Sequence, residues 1–178
     1  NETGLLLFKY ICERRRELGK MPVHPVLVKT IVTTDLAEPI ARDYGVETVN
    51  VLTGFKFIGE VIGQLEQAGR GADYIFGFEE SYGYLSGTYV RDKDAVDAAF
   101  LICEMYAWYH SHGTTLPEAL DSIYRQYGYA LNTLNSYTFE GSAGFEKMQQ
   151  IMKSLRNVKG WIGDFEISAI LDYNEGLD

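Results

Sequence analysis

With 178 residues, 46% hydrophobic and 13% aromatic, the chain can bury one sizeable core, so one domain with an appendage is expected and disorder is not. The formal charge of −9, from 25 acids against 16 bases, leaves no basic footprint for a nucleic-acid backbone, and no run reaches the ~18 consecutive apolar residues of a membrane span. Cys12 and Cys103 sit in apolar helical patterns, which fits small buried hydrophobes in a reducing compartment. No charged-then-apolar signal segment opens the chain, so a soluble, cytoplasmic protein is expected. The missing initiator methionine points to a piece of a longer polypeptide.

Leu5 to Leu18 reads as a first helix, with Leu5, Phe8, Ile11 and Cys12 on one face and Arg14, Arg15 and Arg16 in the last turn, where the helix dipole favours cations. Gly19 stops it. Val26 to Val32 is a β-branched run fit for a buried strand. A helix from about Leu36 to Tyr44 follows, with Asp35 or a neighbour as its cap because Pro39 is tolerated only in a first turn. Val46 to Leu52 returns as a second strand, and Thr53 is expected to cap a helix from about Phe55 to Gln67, with Phe57, Ile58, Val61, Ile62 and Leu65 facing inward. A third short strand around Ala72 to Ile75 runs into Phe76-Gly77-Phe78-Glu79-Glu80-Ser81-Tyr82-Gly83. This alternation of strand and helix predicts a layered sheet with helices on both faces.

Asp92 to Tyr109 predicts a long helix in which Val96, Ala99, Phe100, Cys103, Tyr106 and Ala107 are buried. Asp92, Asp94 and Asp97 near its start read as acids favoured by the helix N-terminus rather than as metal ligands. His110-Ser111-His112-Gly113 reads as an ordinary helix end. Thr115-Leu116-Pro117-Glu118 has capping-box spacing and opens a helix that Gly128 stops. Tyr129 to Phe139 is expected to be a connecting strand. After Gly144 a helix carries Phe145, Met148, Ile151, Met152 and Leu155 on one stripe, and Phe165 to Leu171 alternates enough for one strand or two.

The polar stretch after the third strand draws attention because α/β domains hold ligands beyond the carboxyl ends of their strands. Two carboxylates and a hydroxyl within three residues suit a polyhydroxylated ligand, and Glu79 and Ser81 are expected to point into that crevice. Thr53-Gly54 sits at a strand-to-helix turn, where free N–H groups can hold an oxygen ligand, although helix caps are commoner than ligand sites. Lys56 either lies on the solvent face or reaches the same crevice.

The Phe76–Gly83 stretch resembles the sugar-binding loop of the α-D-phosphohexomutases, the phosphoglucomutase and phosphomannomutase superfamily. Val28-Lys29-Thr30-Ile31-Val32-Thr33-Thr34, Leu52-Thr53-Gly54-Phe55-Lys56-Phe57-Ile58-Gly59 and Tyr89-Val90-Arg91-Asp92-Lys93-Asp94-Ala95 are similar to the third domain of its phosphoglucomutase branch, in order and spacing. Asn1-Glu2-Thr3-Gly4-Leu5-Leu6 resembles the junction of the second and third domains. Phe139-Glu140-Gly141 and Asp172-Tyr173-Asn174-Glu175-Gly176 resemble the opening of the fourth. One departure stands out: Phe78 occupies a position that is glycine in many relatives, which predicts crowding beside the loop.

The resemblance implies a three-layer α/β/α sandwich with a mixed, mainly parallel sheet, plus a C-terminal helix-and-strand appendage. Residues 1–128 would be the third domain and 129–178 a connecting strand with a truncated start of the fourth. It implies that Glu79 and Ser81 bind sugar hydroxyls and that Thr53, Gly54 and Lys93 are further substrate-side positions, with Lys93 lending charge or proton-transfer support. The whole enzyme would move a phosphoryl group between the 1- and 6-positions of a hexose through a phosphoserine, with Mg2+ and glucose 1,6-bisphosphate as cofactors. Neither the phosphoserine loop nor the metal loop occurs in this sequence, so the chain alone is expected to be inactive, to hold no metal and to carry no catalytic residue. Its expected partners are a hexose phosphate, the remaining domains of the polypeptide and, through the truncated tail, a second copy. A free-standing carbohydrate-binding or interaction module, or a phosphomannomutase or phosphopentomutase of the same superfamily, is the alternative.

Overall fold

A computed structural model describes residues 1–133 and 135–173. The Asn174-Glu175-Gly176 part of the motif read as a domain opening therefore lies outside the described residues. The chain divides into a larger unit, Asn1–Asn132, and a smaller one, Thr133–Asp178.

In the larger unit the first strand is the axis of the sheet. Strand β1 (Val26–Thr30) pairs in parallel with β2 (Glu47–Val51) on one side and β3 (Tyr74–Glu79) on the other, and β4 (Gly83–Leu85) adds antiparallel to β3. The order β2-β1-β3-β4 makes a mixed, mainly parallel sheet. All five β1 residues are buried, the polar Lys29 and Thr30 included, as befits a central strand covered on both faces.

Alternation along the strands sends side chains to two separate cores. Val26, Val28, Tyr74 and Leu85 pack with Ile58, Ile62 and Leu65 of α3 (Phe55–Gln67). Leu27, Phe76, Phe78 and Tyr84 face α1 (Glu2–Glu17) and α2 (Ala37–Tyr44), with α4 (Ala95–Ser111) and α5 (Leu116–Tyr127) completing that layer. The result is an α/β/α sandwich. On α1, Arg16 lies 3.9 Å over the Tyr44 ring and donates to the Asp43 carbonyl, while Arg14 lies over Trp108. The basic last turn thus serves packing.

Several expectations are corrected. Helix α2 has its N-cap at Leu36, the neighbour of Asp35, but with no side-chain cap, since the Asp35 carboxylate accepts from the buried Lys29. Helix α3 starts from Gly54 at φ 122, a conformation open to glycine, and the exposed Thr53 does not cap it. Helix α4 is capped by Asp94, which accepts from the N–H groups of Val96 and Asp97. Its burial is also opposite to the predicted one: Ala98, Met105 and Tyr109 are inside, while Val96 is 79% and Phe100 68% exposed. Almost every position of that helix is apolar, so periodicity alone does not select a face. The capping box of α5 is present as read, with Thr115 and Glu118 bonding reciprocally.

The third strand runs through Glu79 instead of ending at Ile75, and its hairpin to β4 was not anticipated. Only Glu80, Ser81 and Tyr82 join the two strands, and Tyr82 adopts φ 59. That left-handed residue closes a three-residue hairpin where glycine or asparagine is the usual signal. Phe78, expected to crowd the loop, instead points into the core against Gly4 of α1.

In the smaller unit, α6 (Gly141–Leu155) and a two-stranded hairpin of β5 (Trp161–Ile162) and β6 (Phe165–Glu166) are formed. The described residues of Tyr129–Phe139 form no strand, and Ile167–Leu171 lies outside β6. Phe145, Met148, Ile151, Met152 and Leu155 share the predicted α6 stripe and are exposed.

Candidate sugar-reading site

At the carboxyl edge of the parallel strands, the turn after β1 and the β3–β4 hairpin meet the approach to α4. Glu79, the last residue of β3, is only 4% exposed. A carboxylate this deep needs a partner, and Lys93 supplies it: Nζ donates to Oε1 at 2.7 Å while the lysine remains 48% exposed. The residues between β4 and α4 position that lysine, because the Asp94 N–H donates to the Tyr84 carbonyl and anchors the helix start to β4. Hydrogen bonding to Glu79 raises the Lys93 pKa above its ordinary value. This secures a cation that gives up its proton less readily than a free lysine.

Glu80 was not singled out in the sequence, yet it organises the loop. Its Oε2 lies 3.3 and 3.4 Å from the hydroxyls of Thr30 and Thr33, one of which can donate to it, and its Oε1 accepts from Ser81 at 3.2 Å. Thr30 and Thr33 are buried, with their oxygens 2.6 Å apart. Ser81 itself is exposed. The Thr-x-x-Thr spacing that straddles the end of β1 was the available signal for this arrangement.

Lys29 was also missed as a structural group. It is fully buried on β1, and its Nζ donates to the Asp35 carboxylate at 2.9 Å and to the Thr33 carbonyl at 3.3 Å. It holds the β1–α2 turn on which Thr33 sits. Thr53 and Gly54 follow β2, so strand order sets them one strand beyond β1, roughly 10 Å from β3 by sheet spacing. They share the edge with Glu79, Ser81 and Lys93 without joining their cluster. Lys56 is exposed, with Nζ 4.8 Å from the Phe57 ring centroid.

The three aspartates near α4 are committed to backbone and hydroxyl donors. Asp94 caps the helix, Asp97 accepts from Ser86 N–H and Oγ at 2.8 Å each, and Asp92 accepts from the Lys93 N–H. The two helix N–H groups hold the Asp94 carboxyl below its usual value. No group of three or more His, Cys, Asp or Glu side chains suited to a metal occurs among the described residues. Within the smaller unit, Gln149, Lys153 and Asn157 line an open hollow of about 850 Å3. No helix among the described residues is long and apolar enough to cross a membrane.

Chemically the cluster is one-sided. Ionised carboxylates only accept hydrogen bonds, and Ser81 has its single hydrogen directed at Glu80, so the loop exposes the Ser81 oxygen as an acceptor beside the Lys93 ammonium, while Glu79, expected to open into the crevice, is almost wholly buried against Lys93. Ligand hydroxyls fit such a surface.

Residues 1–127 match the family described as phosphoglucomutase/phosphomannomutase, alpha/beta/alpha domain III. A phosphoglucomutase of Staphylococcus aureus (strain bovine RF122 / ET3-1) is 40% identical over 174 residues, covering 97% of this chain and 30% of that protein. The chain thus spans under a third of the length of such curated relatives. Among solved structures, Paramecium pp63/parafusin, a phosphoglucomutase in its open form, is similar with a TM-score of 0.59 at 22% identity over 85% of this chain and 25% of that one. A Thermus thermophilus protein described as a phosphomannomutase gives 0.54 at 20% identity, over 77% and 30%. At such identities these two structures speak for the fold. The family match and the 40% relative speak for descent, and the chain belongs to the phosphoglucomutase/phosphomannomutase family through its α/β/α domain III.

Proposed function

We propose that this chain is the sugar-reading part of a phosphoglucomutase-like enzyme that exchanges a phosphoryl group between the 1- and 6-positions of a hexose. The observation that carries this reading is the acceptor cluster of Glu79 and Ser81, with Lys93 bonded to Glu79, at the carboxyl edge of the sheet. Glu79 and Ser81 fall on the stretch that resembles the family's sugar loop, and Lys93 on a second stretch that resembles its third domain. Their work is positioning: hydroxyls held at fixed acceptors orient a sugar whose two ends take turns at the reacting centre. Lys93 contributes charge, and its raised pKa disfavours the proton-transfer role. Thr53 and Gly54 would meet a more distant part of the same ligand.

The described residues offer no set of three metal-type ligands, so the magnesium that the resemblance implies has no fitting site in them, and no step here runs through it. Glucose 1,6-bisphosphate likewise belongs to the activity of the longer enzyme. The 40% identical relative is a phosphoglucomutase, which favours glucose over mannose as the hexose.

The test uses the full-length polypeptide that carries this chain, assayed on glucose 1-phosphate and mannose 1-phosphate. Glu79→Ala is expected to lower kcat/KM roughly tenfold to a hundredfold and Ser81→Ala by less, because hydrogen bonds to charged groups are stronger. The isolated 178-residue chain, given magnesium and glucose 1,6-bisphosphate, is expected to show no turnover. Unchanged kcat/KM in Glu79→Ala, or a loss accounted for by unfolding in a thermal melt, sinks the proposal.

A further inference from the structure

We infer that Glu80 is a positioning residue that fixes the Ser81 hydroxyl as a hydrogen-bond acceptor and ties it to the β1–α2 turn, and so sets which ligand hydroxyl the loop can read. The inference rests on the sugar-reading function proposed above and adds a residue to it. Each serine or threonine hydroxyl has one hydrogen and two lone pairs. The 2.6 Å separation of the Thr30 and Thr33 oxygens uses one of their two hydrogens between them, which leaves the other for Glu80 Oε2. The second Glu80 oxygen accepts the Ser81 hydrogen at 3.2 Å. Every hydrogen in this network is then assigned, and the exposed Ser81 oxygen faces outward with lone pairs only.

A serine on a three-residue hairpin without that partner could rotate its hydroxyl, donating to one ligand oxygen or accepting from another. With Glu80 in place it accepts only. Burial of Thr30 and Thr33 makes the anchor stiff, because side chains inside the core hold single rotamers. The carboxylate therefore transmits the position of β1 to a loop that belongs to β3. Glu79 does not share this role, since its own oxygen is bonded to Lys93.

The experiment is a double-mutant cycle in the full-length polypeptide. It compares Glu80→Ala, Ser81→Ala, the double variant and Glu80→Gln, with Glu79→Ala as the control for sugar reading. Activities are measured on glucose 1-phosphate and on singly deoxygenated hexose 1-phosphates, with a thermal melt for each variant. Glu80→Ala should lower kcat/KM roughly two- to tenfold, and the double variant should match Ser81→Ala alone. Both single variants should erase the penalty for the same missing hydroxyl, which a merely structural role would not do. Glu80→Gln keeps an oxygen that can accept from Ser81 and should recover most of the activity. Additive losses, or a Glu80→Ala loss that leaves the deoxy-sugar discrimination intact, overturn the positioning role while Glu79→Ala still reports sugar reading. A silent Glu79→Ala together with a silent Ser81→Ala overturns both.

Discussion

Gly4 of α1 and Phe78 of β3 share one space: a Cβ on Gly4 would collide with the Phe78 ring. The bulky Phe78 ring is thus accommodated by a glycine on the facing helix. In a helix, Gly→Ala ordinarily gains roughly 0.5–1 kcal/mol. Here Gly4→Ala should instead cost about 1–3 kcal/mol through overpacking. Chemical denaturation of the isolated chain measures it, and Phe78→Leu in the Gly4→Ala background should recover part of the loss. A more stable Gly4→Ala would show that the helix moves freely away from the sheet.

The Lys93–Glu79 pair has a definite pH signature. The Lys93 pKa is raised above 10.5 by the Glu79 hydrogen bond, so its contribution is complete below the unfolded-state pKa and is lost only as pH rises past the folded one. The stability difference between the wild type and Lys93→Met should therefore be flat from pH 7 to pH 9 and shrink above pH 10.5. The difference itself should be small, because Lys93 is half exposed and solvent screens it. Thermal melts across that range decide the matter, and a difference that collapses near neutral pH contradicts the assignment.

The two cysteines should separate cleanly. Cys103 is exposed, whereas Cys12 is buried and its thiol is pushed up to about 12 by burial. At pH 8 a thiol reagent should modify Cys103 in the native chain and reach Cys12 only after denaturation. Because the Cys12 pKa is raised from 9.0, its stabilisation is full below pH 9 and declines toward pH 12, with a slope of up to ~1.4 kcal/mol per pH unit. Cys12→Ala should flatten the alkaline arm of the stability profile by that amount. Fast labelling of both thiols at pH 8 would refute the burial of α1.

What was readable in the sequence follows from where local chemistry is decisive. The buried run of β1, the inward face of α3 and the α5 capping box carry their own periodicity and hydrogen-bond partners, so they were legible. Helix α4 was placed but turned the wrong way: with Val96, Phe100 and Tyr106 as apolar as Leu101, Met105 and Tyr109, only the neighbours α1 and β4 choose its face. The β3–β4 hairpin was hidden because Tyr82 takes a conformation that its residue type does not announce. At the site, the resemblance named Glu79, Ser81 and Lys93, but it did not show that Lys93 pairs with Glu79 across 14 residues. Nor did it reveal Glu80 and Thr30, which meet across 50. Those relations depend on strand order, which no local pattern encodes.

Lys29 offers the last test, because a buried charge and its partner respond unequally to removal. The ammonium is fully buried, with the Asp35 carboxylate at 2.9 Å and the Glu38 carboxylate at 3.8 Å, while Asp35 is 85% exposed. Lys29→Met keeps the apolar stem and leaves Asp35 in water, so it should cost less than ~1.5 kcal/mol, as volume-conserving changes do. Asp35→Ala strips the nearest countercharge from an ammonium that stays inside. Glu38 and the Thr33 carbonyl compensate in part, so the expected loss is about 1.5–3 kcal/mol, the scale of one hydrogen bond to a charged group. Removing Glu38 as well should approach 3–5 kcal/mol, the cost of stranding a buried ion. The decisive comparison is the pair: Lys29→Met/Asp35→Ala should be more stable than Asp35→Ala alone, since no charge then remains to be stranded. Equal stabilities by chemical denaturation would mean that water reaches the ammonium and that Asp35 only decorates the turn.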